Sequence, residues 1–303
     1  MPEVNHRLGI GLMVLTTLVF AAQDGISKYL AVEYNSMMVV MIRYWFFGLF
    51  VVALSATRQG GLRAAARTAQ PLLQILRSVI LSAEIFIMIT AIALIGLVES
   101  LALFACCPLI VAALSGPILG ERVGWRRWLA IGTGFVGVLI ILRPGPGVFS
   151  PFSVLALLAA AMFAVYALLT RYASRRDSTQ TSFFWVGTAG AVFATGAGVW
   201  FLEPMASGDW IWMAILCMSG ATGHFLLIKC YEVSEAGVVQ PFAYLHMVFG
   251  SVIGLAVFGE MLSLNVITGG AIIVLAGLFV WWREHGTAAM VSRAADPRPD
   301  RSA

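Results

Sequence analysis

Charge is what this chain has least of. Of its 303 residues, 11% are Asp, Glu, Lys or Arg and 60% are hydrophobic; soluble domains run near ~25% charged and ~45–50% apolar. The mean hydropathy of +0.91 says the same, so most of the chain belongs in lipid and its length does not count soluble domains. Cysteine is scarce too. Cys106, Cys107, Cys217 and Cys230 lie in or beside apolar runs and form no CxxC pair. They read as small apolar side chains, and no disulfide, metal site or cofactor is expected. HExxH, GxSxG and GxxxxGK[ST] are missing, and there are only four histidines. That argues against an intramembrane enzyme and against ATP-driven transport. The net charge of +4 comes from basic residues between apolar runs, so nucleic acid is not an expected partner.

Long apolar runs are what the chain has instead. About 20 apolar residues span a bilayer core, and ten such segments follow one another: Leu8–Leu30, Ser36–Ser55, Leu72–Ile95, Leu97–Leu119, Arg127–Leu142, Phe152–Tyr172, Thr181–Leu202, Trp210–Cys230, Ala236–Phe258 and Leu264–Trp282. The third and fourth are separated by little more than Gly96. The first is too long for a signal peptide and carries Asp24 and Lys28. Residues 284–303 are polar with Pro297 and Pro299, and are expected to be a disordered cytoplasmic tail.

The positive-inside rule orients the chain. With the N-terminus inside, the inner segments hold 15 of the 19 basic residues and the outer side only Lys28 and Arg143. Both termini are therefore expected in the cytoplasm of a multi-pass inner-membrane protein.

The run Gly116–Arg143, with its Gly120-Glu121 turn, recurs as Val257–Arg283, with a Gly259-Glu260 turn. Gly137 and Gly277 mark the middle of the helix that follows each. The first turn carries Arg122, Arg126 and Arg127; the second carries no basic residue. Two units of five helices, 8–143 and 152–283, explain this. Five is odd, so the second unit enters the membrane from the opposite face. Inverted repeats of this kind are common in secondary transporters, with the site between the halves near the midplane. A channel or an assembly protein does not need this pattern. Pro108 and Pro241 interrupt helices four and nine, either for shape alone or to bend both around a cavity.

The all-α, ten-helix architecture, the five-plus-five inversion and a Gly-Glu turn before each closing helix resemble the EamA-type family of the drug/metabolite transporter superfamily. So does Pro241–Gly250, PFAYLHMVFG. The resemblance spans residues 8–283 and implies alternating-access transport of a small metabolite. Gln23–Ala31, Met41–Phe47, Ala113–Trp128 and Lys229–Leu245 are also similar to bacterial riboflavin importers of this family, which implies riboflavin as the substrate. Export or exchange of amino acids, nucleosides or another metabolite stays open, as does a homo-oligomer.

Ionisable residues at membrane depth are costly and default to functional candidates. Asp24 and Lys28 share a face of helix one. Arg43 lies at similar depth, so an ion pair of Asp24 with Lys28 or Arg43 is expected near the mouth, or Lys28 snorkels outward. Glu84 is central in helix three with Arg77 on the same face; the two form either a structural pair or part of the site. His224, Gln240, Tyr244 and His246 are polar groups of helices eight and nine, either satisfied within the core or lining the cavity. Phe104, Tyr166 and Tyr244 are the rings proposed to stack on a planar substrate.

Overall fold

In lipid every backbone N–H and C=O must be bonded within its own segment, so apolar runs become helices. The computed structural model describes residues 5–58, 60–120, 124–143, 150–234 and 236–295. The side chains at 126, 127, 236, 237, 240 and 280–295 fall outside that description, as do Glu121, Arg122 and residues 296–303. The helices are α1 (His6–Glu33), α2 (Ser36–Ala56), α3 (Gly61–Ala66), α4 (Pro71–Ile95), α5 (Leu97–Phe104), α6 (Cys107–Leu119) and α7 (Trp125–Leu142) in the first half. The second half holds α8 (Ser153–Ala173), α9 (Thr179–Gly198), α10 (Asp209–Val233), α11 (Ala236–Ala243), α12 (Leu245–Phe258) and α13 (Leu264–Ala295). Eight stretches are long and apolar enough to cross a membrane, and two shorter apolar helices, Trp128–Leu142 and Leu264–Phe279, make ten.

Spans four and nine are each broken in two. α5 gives way to α6 at Ala105–Cys106, with Pro108 in the first turn of α6. α11 holds Pro241 and gives way to α12 at Tyr244. Proline removes one helical hydrogen bond and crowds the preceding turn; the first break falls just before Pro108, the second three residues after Pro241. One expectation is corrected. α13 runs on to Ala295, through residues 284–295 that were assigned to a disordered tail. The stretch holds four alanines, the best helix former, and no proline before Pro297, so nothing local stops the helix.

The halves interlock. α1 packs on α10 and α4 on α8; α2 packs on α9, α7 on α13, and α5 on α12. Numbered as spans within each half, these contacts join first to third, third to first, second to second, fifth to fifth and fourth to fourth. Exchanging the halves maps the set onto itself, as a two-fold relation between inverted repeats requires. The glycines of the two Gly-Glu pairs sit at equivalent helix ends. Gly120 and Gly259 close α6 and α12 with φ of +78° and +62°, the left-handed region that glycine enters without steric cost.

Gly137 sits where α7 crosses α13. A Cβ there would come within 2.6 Å of the Gly269 carbonyl oxygen and 2.9 Å of Ile273. Small residues at such a crossing let the two backbones touch. Gly137→Leu is therefore expected to lower stability by about 1–3 kcal/mol through overpacking. Thermal unfolding of the purified protein in detergent checks this, and a melting temperature equal to wild type would remove Gly137 from the contact.

Candidate functional site

A cavity lies between the halves, lined by α1, α2, α4 and the broken span α5–α6 on one side and by α8, α10, α11 and α12 on the other. The room inside it for a water-sized sphere is about 80 Å³, below the ~300–1,000 Å³ usual for small-molecule sites, so its walls stand close together in this conformation. Asp24, Arg43, Glu84, Phe104, His224 and His246 all face it. Residues separated by up to 222 positions are thus brought to one space.

The polar groups pair across the interface. His246 Nε2 lies 2.8 Å from Asp24 Oδ2. Arg43 Nη2 lies 3.3 Å from His224 Nε2, and Gly220 is bare where a Cβ would meet the guanidinium at 2.6 Å. The expected pair of Asp24 with Lys28 or Arg43 is not made. Glu84 is 4% exposed and forms no hydrogen bond or ion pair among the described residues. Gln23 Oε1 and His224 Nδ1 are buried without a hydrogen-bond partner, and both residues line the cavity. Gln23 Oε1 accepts, whereas His224 Nδ1 donates because Nε2 takes the Arg43 bond; each costs about 1–3 kcal/mol unpaired, which a ligand offering a donor to one and an acceptor to the other would remove.

Rings form the apolar wall. Phe163 is 5.4 Å from Phe104 and 6.4 Å from Phe20, centroid to centroid. Phe20 stands 5.1 Å from His224 and 6.2 Å from His246. Phe20, Phe163 and Gln23 were not singled out from sequence. Met13, Thr16, Thr17, Phe20 and Asp24 recur at three- and four-residue spacing, so the helical stripe running back from Asp24 was there to be followed.

Three candidates stand elsewhere. Arg77, fully buried, does not pair with Glu84. It donates to Gln74 Oε1 at 2.7 Å, Thr170 Oγ1 at 2.9 Å and the Ser182 carbonyl at 2.5 Å. Gln74 in turn donates to Asp177 at 2.8 Å, which ties α4 to the α8–α9 link. Tyr166 packs between Arg77 and Phe163, 5.8 Å and 5.7 Å from its ring, behind the wall rather than in it. Tyr244 lies against Gly277 of α13, turned away from the cavity. The Gln240 side chain lies outside the described residues.

Lys28 does not snorkel outward. It forms an ion pair with Glu260 of the second Gly-Glu turn and sits 4.4 Å over the Phe258 ring. The Glu260 carboxylate also accepts from the Leu97 and Val98 amides at 2.8 Å and 2.7 Å, capping α5 at its positive end. One carboxylate thus ties together α1, α5 and the α12–α13 turn. Partial burial pushes the Glu260 carboxyl up, but the Lys28 hydrogen bond and the two amides outweigh it and hold it below the ordinary carboxylate range.

The sequence profile of the EamA-like transporter family matches residues 7–143 and again 151–282. A curated S-adenosylmethionine uptake transporter of Rickettsia bellii is 26% identical over 285 residues, covering 92% of this chain and 95% of that one. A riboflavin transporter of Vibrio cholerae is 29% identical over 285 residues, covering 91% and 94%. Another riboflavin transporter, of Brucella anthropi, is 27% identical over 259 residues, covering 82% and 89%. A crystal structure at 16% identity superposes with a TM-score of 0.65, covering 88% of this chain and 95% of its own, a likeness of fold.

Two outcomes follow from the geometry. Arg77→Met strands three acceptors and is expected to cost on the order of 3 kcal/mol, whereas Glu84→Gln should leave the melting temperature near wild type. Thermal unfolding of both variants checks the contrast, and equal losses would put Glu84 in the framework. For Glu260 the bound-state carboxyl is depressed, so its stabilisation is complete above the ordinary carboxylate value and is lost as pH falls through the depressed one. The melting-temperature gap between wild type and Glu260→Gln should hold from pH 7 down to about 5 and close below about 4. A gap that widens in acid would contradict the cap.

Proposed function

This chain belongs to the EamA-like transporter family, whose profile covers nearly all of it, and from that premise we propose that it imports riboflavin across the bacterial inner membrane. At the coarser level it is a multi-pass membrane transporter of a small metabolite, not an enzyme. The observation that carries the finer reading is the cavity itself. It sits between the halves and is lined both by the rings of Phe20, Phe104 and Phe163 and by polar groups of both halves. A fused planar ring stacks on such a wall with offset or edge geometry. Its ring edge and hydroxylated chain would bond Gln23, Thr16, Thr17 and Glu84. Asp24 is engaged with His246 and Arg43 with His224, which suits a ligand that brings no charge of its own.

Import by alternating access suits the lock above the cavity. Lys28 is one helical turn, about 6 Å, beyond Asp24 on α1. Its bond to Glu260 closes that end of the passage, and the two halves would rock about the cavity once it opens. The distribution of basic residues supports placing this end outside and both termini in the cytoplasm.

A second reading rests on Glu84. Two carboxylates, Asp24 and Glu84, face one guanidinium, and Glu84 has no hydrogen-bond partner among the described residues. If His246 is neutral, the cavity carries excess negative charge and suits a cationic ligand such as S-adenosylmethionine, the solute named for the Rickettsia relatives. Uptake of labelled riboflavin and of labelled S-adenosylmethionine into cells expressing the protein separates the two. Saturable riboflavin uptake, cut at least tenfold by Arg43→Ala in a normally inserted protein, is the expected result. Uptake of S-adenosylmethionine alone would replace the first reading with the second. Saturable uptake of neither would remove both and leave another metabolite.

A further inference from the structure

A second recess lies on the outer surface between α2, α9 and α10, well away from the central cavity. Phe46, Phe50, Leu54 and Arg58 line its long side. They stand four residues apart, so they form one stripe along α2 and the turn after it. The stripe extends about 18 Å from Phe46 to Arg58 at the helical rise, close to the ~15 Å depth of one hydrocarbon leaflet. Phe183 of α9 forms the floor and is buried. Its ring stands 6.5 Å from Phe50 and 5.4 Å from Phe225 of α10, edge-on to both. Phe50 and Phe225 are about two-fifths exposed, so the slot is open to the surrounding lipid along its length.

Only one end of the slot is charged. Arg58 is exposed, and the link that follows it carries exposed Arg63 and Arg67. Among the described residues, none of the three forms an ion pair. α3, which holds Arg63, lies against α2 and α9, so its charge belongs to the same end. An apolar slot as deep as one leaflet, with unpaired guanidinium groups where the headgroups begin, matches one kind of molecule. We propose that this recess is a binding site for an anionic glycerophospholipid, with one acyl chain lying along Phe46, Phe50 and Phe225 and the headgroup phosphate on Arg58. Juxtamembrane arginines are attracted to anionic lipid generally; the slot adds a seat for the chain, and so predicts retention rather than passing contact. The site stands on the fold alone and does not depend on what the central cavity carries.

Native mass spectrometry of the detergent-purified chain tests it, with phosphatidylglycerol and phosphatidylcholine of the same chain length offered in equal amounts. Phosphatidylglycerol should be retained several-fold more than phosphatidylcholine. Arg58→Gln should abolish that preference, and Thr222→Trp, which fills the slot from its exposed α10 wall, should reduce retention of both lipids. Equal retention of the two lipids by the wild type would overturn the proposal. So would an Arg58→Gln protein that keeps the preference, or lipid-free dimers that Thr222→Trp disrupts. If Arg58→Gln does not fold, the wild-type comparison and Thr222→Trp decide the matter between them.

Discussion

An ionised side chain cannot stand alone in hydrocarbon, and in this protein each half supplies what the other lacks. Arg43 of the first half meets His224 of the second, Asp24 meets His246, Lys28 meets Glu260, and Arg77 meets Thr170 and Ser182. Removing one member of a buried pair leaves an uncompensated charge, a loss of about 3–5 kcal/mol in well-buried cases. Neither five-helix unit would be stable alone with those groups exposed to lipid. The interlocked helix pairing and the crossed polar contacts are therefore one arrangement seen at two scales.

The crossed contacts differ in how many anchors they have. Arg77 bonds three acceptors, and Gln74 carries the network on to Asp177, so α4, α8 and α9 are braced at one end. Glu260 likewise bonds three groups, Lys28 and the Leu97 and Val98 amides, whereas Asp24–His246 is a single bridge. Its histidine stands on α12, which begins at the break at Tyr244. A segment that starts at a break and meets the cavity through a single bridge can shift there with fewer bonds lost than one inside the Arg77 brace. In the proposed import cycle, the moving parts fall on that side.

The number and limits of the spans were legible because apolar length is a local property and lipid leaves helix as the only solution for it. The inverted repeat was legible through Gly120 and Gly259, since a left-handed helix end needs glycine wherever it recurs. The pairing of the charges was not. Asp24 with Lys28, and Arg77 with Glu84, are neighbours on one helix, and reading along a helix proposes neighbours. Residues on one face look outward at the same adjoining helices, so their partners lie 181 and 222 positions away, as for Arg43–His224 and Asp24–His246. Tyr244 failed for a related reason. Its depth was right but its direction was not, because the break at its own position turns the ring toward the space left by Gly277. The C-terminal extension of α13 was missed because polarity was read as disorder, although an alanine-rich polar run is also a good helix.

The residues that hold the fold are distinct from those that face the cavity. The Gly137 crossing, the Arg77 brace and the Lys28–Glu260 cap all lie outside the ring of Phe20, Phe104 and Phe163. In the proposed site, changing a cavity ring or Glu84 would alter what can be bound while leaving the Arg77 brace and the Gly137 crossing in place. Changing Arg77 or Gly137 disturbs packing whatever the solute is. Substitutions in the cavity are thus tolerated by the framework, and the framework is constrained independently of the cargo. That separation is consistent with relatives named for two different solutes aligning with this chain over nine-tenths of its length at similar identity: on the proposed reading, alignment follows the framework, while solute choice would rest on a few side chains in its middle.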